Sequence, residues 1–572
     1  MAQKQALAEP SDPASPATAS PAAASPAAAR VVPPLDPAYL ERPRIASDVR
    51  VHRPSEEGQP WIIQRGTAGY FRVQPDLARL VQALDGTRDH RALVDLLGAP
   101  WTTADVAKAL HTLAGARVLD DGAERPKRDR RLRFVPPLTV QFTVLRPERL
   151  LSRMSPLLAR LANRGVAVAA LVCALGGLLA LALMAPALTA ALGAPLPLAA
   201  YAGILGGVLA TTAVHEFSHG ALLTYYGGRP SRMGVMLFYL SPAFFCDVSD
   251  GWRLGRREQR VRVALAGIAA QAVVAGVAAL SCLFLSASTL REAVLVFALA
   301  SYVSGLVNLL PLVKLDGYIA LMSHLDLPHL RDRSMTDGRR FLSRLLFGGR
   351  YVRELPELRW SVPYGLACLA FPLYLIGSAV ALWAGLLQRI GEFGAAAVCA
   401  VLCYVGYRLW RGARRLVREA RAAGAPLWRV ALAGTLAAAL VAAALLLVSV
   451  PYRLSGGYVT GSDGRVELVL PTSADLGAVR AGEPVALYRA GVMTRSRSGS
   501  ATVQDPHATS TTAPISAFTP VSGDLLSLPA SGVRLRVDAA PADRTGAAVL
   551  DTGRRTLAIW CYDTYLAPVW RW

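Results

Sequence analysis

The chain has 572 residues, enough for two or more domains, of which 53% are hydrophobic and 18% charged. That balance is too apolar for an ordinary soluble protein and argues for membrane spans. The formal net charge of +21 does not point to nucleic acid, because the Arg residues cluster in short segments between apolar runs, as cytoplasmic loops do.

Residues 1–35 are Ala, Pro and Ser with few large apolar side chains, and cannot bury enough surface to offset their ordering entropy. They read as a disordered tail, continued by a linker to residue 54. No apolar run lies near the N-terminus, so no cleavable signal peptide is expected. The next segment, 55–122, reads as a small α+β domain of winged-helix type. Trp61-Ile62-Ile63 and Tyr70-Phe71-Arg72-Val73 predict two short strands around a turn at 66–69. Leu77, Leu80, Val81 and Leu84 recur at helical spacing, Ala92–Leu97 predicts a second helix, and Thr102 caps a third through Leu110 and Leu113. A linker is expected over 123–165.

Seven long apolar runs follow, near 166–188, 198–226, 261–287, 293–323, 361–387, 393–410 and 427–450. A span needs about 20 apolar residues, and these meet or nearly meet that length. The segments before 166 and at 227–260, 324–360 and 411–429 are Arg-rich, while those near 189–197, 288–292 and 388–392 carry little or balanced charge. Seven spans with the N-terminus inside place each basic segment in the cytoplasm. Four spans fall in 166–335 and three in 336–450. Residues 232–247 are apolar but too short to cross, and suit a hairpin or re-entrant segment. Residues 451–572 hold strand-like pieces such as Val466–Leu470 and Val533–Val537, so a β-rich domain is expected outside the membrane. The fold class expected is a mainly α-helical polytopic membrane protein with a winged-helix-like N-terminal domain and a β-rich extracytoplasmic C-terminal domain. The seven cysteines include no Cys-x-x-Cys pair and give neither a disulfide framework nor a Cys-rich metal site.

The second run contains Val214-His215-Glu216-Phe217-Ser218-His219-Gly220. Histidines at i and i+4 share one helix face, so both imidazoles can reach one metal ion. The intervening Glu216 is placed to take a proton from a water on that ion. Ionisable groups inside a span cost at least ~2.5 kcal/mol each on insertion scales when charged, and a metal site gives His215, Glu216 and His219 a common reason to be there. Catalytic zinc takes three protein ligands and leaves one position for water. Asp316 closes the fourth run, in Asn308-Leu309-Leu310-Pro311-Leu312-Val313-Lys314-Leu315-Asp316-Gly317, and is the candidate third ligand. Pro311 breaks the helix and Gly317 permits a tight turn. At 1.5 Å per residue the two histidines sit about 25–30 Å along an inward-running span and Asp316 about 35 Å along another. His324 and His329 are rival ligands in the basic loop beyond, and His52, His90, His111 and His507 are isolated.

These residues resemble the site-2 protease class of intramembrane zinc metalloproteases. The stretches Gly227-Gly228-Arg229-Pro230, Asp247-Val248-Ser249-Asp250-Gly251-Trp252 and Leu315-Asp316-Gly317-Tyr318 look more closely like its bacterial "peptide zinc metalloprotease" branch, found with ribosomally made, modified peptides. The resemblance covers about 200–335. It implies one Zn2+ per chain on His215, His219 and Asp316, with Glu216 as catalytic base and Asn308 holding the peptide or the oxyanion. The family often has Gly-Pro and Asn in the third span; this chain has Gly267-Ile268-Ala269-Ala270-Gln271, which makes Gln271 the substrate-binding candidate there. Residues 55–122 are similar to the peptide-recognition domains of modified-peptide pathways, such as pyrroloquinoline-quinone chaperones, which bind a leader peptide as an added strand. The expected function is hydrolysis of a precursor peptide, removing its leader, in a bacterial cell membrane. The Ala- and Arg-rich composition fits a GC-rich bacterial genome. A regulated protease of a membrane-anchored protein is the alternative, although no PDZ domain is evident. A non-catalytic membrane protein for peptide binding, export or immunity is another, but it has no use for Glu216. The expected partners are the precursor and the lipid bilayer, with no nucleic acid.

Overall fold

The structure, a computed structural model, describes residues 38–54, 61–66, 69–120, 131–135, 139–238, 241–388, 392–472, 474–523 and 526–569. The expected disordered tail, 1–35, lies outside the described residues.

Three antiparallel strands open the first domain: β1 (Val49–His52), β2 (Trp61–Arg65) and β3 (Gly69–Val73), paired in the order β1-β2-β3. Three helices cover one face: α1 (Pro75–Ala83), α2 (His90–Leu97) and α3 (Thr103–Gly115). Asp89 caps α2 by accepting from the Ala92 N–H, and Thr102 and Asp105 form a capping box on α3. Ile63, Phe71, Val73, Leu80, Leu93, Val106 and Leu110 form the core under the helices. Strand alternation turns Tyr70 and Arg72 to the opposite face. That face meets the rest of the chain: the Tyr70 hydroxyl donates to Asp250 at 3.0 Å, and the Arg72 guanidinium forks onto Asp326 at 2.7 and 2.8 Å.

The stretch 123–165, expected as a linker, is built in its described part. It supplies β4 (Leu132–Val135), β5 (Thr139–Leu145) and short helices at Glu148–Arg153 and Ser155–Leu161. β5 pairs with β6 (Met233–Phe238), which pairs antiparallel with β7 (Ser241–Cys246). The expected hairpin at 232–247 is thus the outer half of a four-stranded sheet, β4-β5-β6-β7. β4 and β5 pair locally, but the pairing of β5 with β6, some ninety residues away, has no local signature.

Among the described residues, seven helices are long and apolar enough to cross a membrane. They are α4 (Arg164–Leu183), α5 (Leu198–Tyr225), α6 (Arg257–Ser281), α7 (Thr289–Asn308), α10 (Ser361–Gln388), α11 (Glu392–Ala422) and α12 (Leu427–Leu447). Between α7 and α10 lie α8 (Asp316–His324) and the amphipathic α9 (Leu330–Phe347). Two boundaries correct the sequence reading. The fourth run is not one helix to residue 323, because α7 stops at Asn308 and residues 309–315 are irregular around Pro311, which lacks an N–H. The carbonyls of that segment are satisfied by side chains: Tyr364 donates to Pro311 O at 2.6 Å and Arg331 to Leu312 O at 3.0 Å. The basic stretch after 410 is not a loop, because α11 continues to Ala422 and its arginines are good helix formers. α6 packs among α4, α5, α7 and α8.

The C-terminal region is a closed antiparallel barrel of β8 (Ser449–Thr460), β9 (Val466–Pro471), β10 (Pro484–Ala490), β11 (Arg495–Pro514), β12 (Ser527–Ala539) and β13 (Thr545–Thr556). Tyr458, Leu468, Val485, Leu487, Val533 and Leu550 fill it. It docks on the α4–α5 connection, where Val521-Ser522 pair in parallel with Leu196-Pro197 and Tyr201 donates to Pro520 O at 2.9 Å.

The Arg72–Asp326 contact gives the first domain a pH-dependent dock. Hydrogen bonds from Arg72 hold the Asp326 carboxyl below the usual carboxylate range, and the charges of Arg72, Arg260 and Arg257 act the same way against its partial burial. A carboxylate lowered by docking contributes fully above its undocked pKa and loses that contribution as pH falls through the docked one. The inter-domain distance, read by pulsed electron spin resonance, should hold constant from about pH 8 to 5 and lengthen only below about pH 4. Release between pH 5 and 8 would contradict this account.

Candidate metal centre

Residues 215 and 219 are one turn apart on α5 and present their rings on the same side, with centroids 4.9 Å apart and planes at 77°. Both imidazoles are buried, at 2% and 4% exposure. Asp316 reaches them from the first turn of α8, where its charge suits the positive end of the helix dipole. One carboxylate oxygen lies 2.8 Å from His215 Nε2 and the other 3.3 Å from His219 Nε2. The ligand-type atoms of His215, His219 and Asp316 all lie within 4.8 Å of one another. Gly317 makes this turn possible, since a methyl group there would sit 1.9 Å from Leu309 O.

One face of α6 supports the pair from behind, at i, i+4 and i+8. Val263 O accepts from His219 Nδ1 at 2.7 Å. Gln271 Oε1 faces His215 Nδ1 at 3.0 Å, and the Gln271 amide is oriented by donating its Nε2 to Ser301 O at 3.1 Å. Gly267 lies between them, and a methyl group there would be 2.4 Å from His219 Nε2 and 2.6 Å from His215 Nε2.

These hydrogen bonds assign the tautomers. A carbonyl only accepts, so Nδ1 of His219 carries a proton, and the oriented amide oxygen requires the same of His215. In neutral rings both Nε2 lone pairs then point at a carboxylate that also only accepts. The Nε2 of His219 is buried without a hydrogen-bond partner. Acceptors facing one another need positive charge between them. Two protons would create adjacent imidazoliums beside apolar helices; one divalent cation meets the same need and also offsets Asp316 and Glu216. Zinc bond lengths place tetrahedral ligands about 3.3 Å apart, and a set of two imidazoles and one carboxylate is a zinc set. The residues fit the group.

Glu216, His219 and Asp316 line one cavity with Cys246, Trp252 and Arg260. The Cys246 backbone N–H reaches the Glu216 carboxylate. Four of the sequence candidates, His215, Glu216, His219 and Asp316, therefore converge. Gln271 stands behind His215 rather than in the cavity. Asn308 is half-buried at the end of α7 and does not line the cavity. His324 is exposed, and His329 faces Asp332 at 3.9 Å. Sequence reading missed Trp252, Arg260 and Gly267. The signal for Gly267 was a glycine four residues before a buried Gln in an apolar helix. The Asp247–Trp252 motif also has a structural task. Asp247 accepts from Ser231, Ser249 and Arg232, and Asp250 accepts from the Arg229 N–H at 2.7 Å, which ties the end of β7 to the exit of α5. Burial pushes the Asp247 carboxyl up, but those donors hold it below its ordinary value.

No family model, curated protein or solved structure matches the chain.

Gly267→Ala should fill the space between the rings. The variant is expected to keep wild-type helicity by circular dichroism while its zinc content, by mass spectrometry, falls well below one per chain. A fully loaded Gly267→Ala variant would refute the arrangement.

Proposed function

We propose that this chain is an intramembrane zinc metalloprotease that hydrolyses a peptide bond in a precursor peptide. The observation that carries the reading is the convergence of His215, His219 and Asp316, with Glu216 on the wall of the same cavity. A zinc ion held by His215, His219 and Asp316 would supply Lewis acidity, lowering the pKa of a water and polarising a carbonyl. The chain's own residues do the rest. Gln271 and Val263 fix both imidazoles so that each offers Nε2. Glu216 takes a proton from the attacking water and returns it to the leaving amine, so that an acyl C–N bond is exchanged for C–O and N–H.

Two docking contacts support a multi-pass membrane arrangement with the N-terminus inside. An odd number of crossings puts the two ends of the chain on opposite sides. The first domain touches Asp250, between the second and third spans, and Asp326, between the fourth and fifth. Both connections lie on the inner side, in Arg-rich segments. The barrel touches the connection between the first and second spans, on the outer side, through Met493 and Thr494, whose N–H groups donate to Leu192 O. Parity and charge thus agree for both domains, in a bacterial cell membrane. The first domain beside the cavity supports a substrate with a recognition segment, as in leader removal from a ribosomally made, modified peptide.

Glu216→Gln tests the chemistry. With a quenched-fluorescent peptide pool in detergent micelles, the variant should lose at least ~10²–10⁴-fold in cleavage rate while keeping one zinc per chain. Cleavage that survives this change would sink the protease reading.

A further inference from the structure

A polar cluster outside the candidate metal centre lies where the first domain meets the cavity wall. Arg72 of β3 donates to both oxygens of Asp326, a geometry with charge assistance and fixed orientation. Arg260 of α6 donates to the same carboxylate and to Leu254 O. The Trp252 ring lies near both guanidiniums, with its centroid 5.7 Å from Arg72 and 5.6 Å from Arg260. Asp326 holds a left-handed backbone, φ +54°, that a non-glycine residue keeps only where its surroundings fix it. Tyr70, two residues before Arg72 on the same face, is bonded to Asp250. Burial and the Asp250 charge both push its phenol up, so the hydroxyl stays a donor.

Trp252 and Arg260 are also walls of the cavity that holds Glu216, His219 and Asp316. Arg260 is 6% exposed, and its Nε is buried with no hydrogen-bond partner. Arg260, with an Nε that is buried and unpaired, therefore shares the cavity lining with Glu216 and Asp316.

We propose that Arg72 is a positioning residue for the peptide cleft: through Asp326 and Trp252 it fixes Arg260 in the cavity wall, so that substrate binding depends on the first domain being docked. This rests on the metalloprotease reading. Without Arg72, Asp326 loses its forked partner, Trp252 loses one of its two cations, and Arg260 is left with a freer carboxylate. The wall loosens while His215, His219 and Asp316 keep their own supports on α5, α6 and α8.

The test compares two probes on full-length, zinc-loaded protein in detergent. Acetohydroxamate reports the metal alone, and a hydroxamate carrying a Leu-Ala dipeptide reports the metal and the wall together. Arg72→Met should weaken the dipeptide hydroxamate about tenfold, leave acetohydroxamate within about twofold, and raise hydrogen exchange over 249–254. Arg72→Lys, which keeps the charge and loses the fork, should recover part of the affinity. Equal affinity of Arg72→Met and wild type for the dipeptide probe, or unchanged exchange over 249–254, overturns the proposal. If wild-type protein binds neither hydroxamate, the metalloprotease reading has failed, and the exchange measurement alone decides whether Arg72 holds the wall.

Discussion

Two imidazole nitrogens and a carboxylate, all acceptors, are pressed together in an apolar setting, and much of the fold serves to keep them there. Buried acceptors that face one another repel and cannot recover the hydration they have lost. The chain commits the opposite ring nitrogens, through Val263 O and Gln271 Oε1, so that neither Nε2 can be satisfied by a neighbour's proton. That commitment leaves both Nε2 atoms and the Asp316 carboxylate as acceptors converging on one point, an arrangement that suits a cation. A looser arrangement would let Asp316 turn to solvent and the histidines find other partners.

The supports are spread over helices distant in sequence. α5 supplies the rings, α6 their partners and the space at Gly267, and α8 the carboxylate. Asp316 does not simply end a long helix, as its position in an apolar run implies. It begins a new one, after a break whose carbonyls are held by Tyr364 and Arg331 from α10 and α9. The break converts a side chain that would point along α7 into one that crosses to α5, and a helix N-terminus favours its negative charge. The meeting of these three side chains depends on helix ends and interruptions as much as on helix faces.

This division explains what could be read from residues alone. The His215–Glu216–His219 spacing is a property of one helix, and three-residue arithmetic is enough to see it. Asp316 stood out because a carboxylate at the end of an apolar run needs a reason. Gln271 was noticed, but its task was not, because which face of α6 meets α5 is set by packing and not by local pattern. Apolar length located all seven long helices, while their ends moved wherever Pro311 or an arginine-rich helical stretch overrode it. The sheet that joins 132–145 to 233–246, and the closure of the barrel, rest on pairings between distant segments. Nothing in a short window announces them. Tyr70 and Arg72 read as ordinary strand residues for the same reason: their partners are 180 and 254 residues away.

The helix that carries the histidines is held at both ends, and this matters more than its length. Just before α5 begins, Leu196-Pro197 pair with Val521-Ser522 next to the barrel; just after it ends, the Arg229 N–H is fixed on Asp250, which also takes the Tyr70 hydroxyl. A helix in a bundle of small apolar side chains can slide or rotate at modest cost, and each residue of slip is about 1.5 Å. A shift of that size would move both rings off Asp316 and off their partners on α6. The N-terminal and C-terminal regions anchor opposite ends of the same helix, one by a buried carboxylate and one by a strand pair. The geometry of the His215–His219–Asp316 cluster is therefore set partly from outside the helical bundle, which is how a site made of side chains on separate helices keeps its geometry.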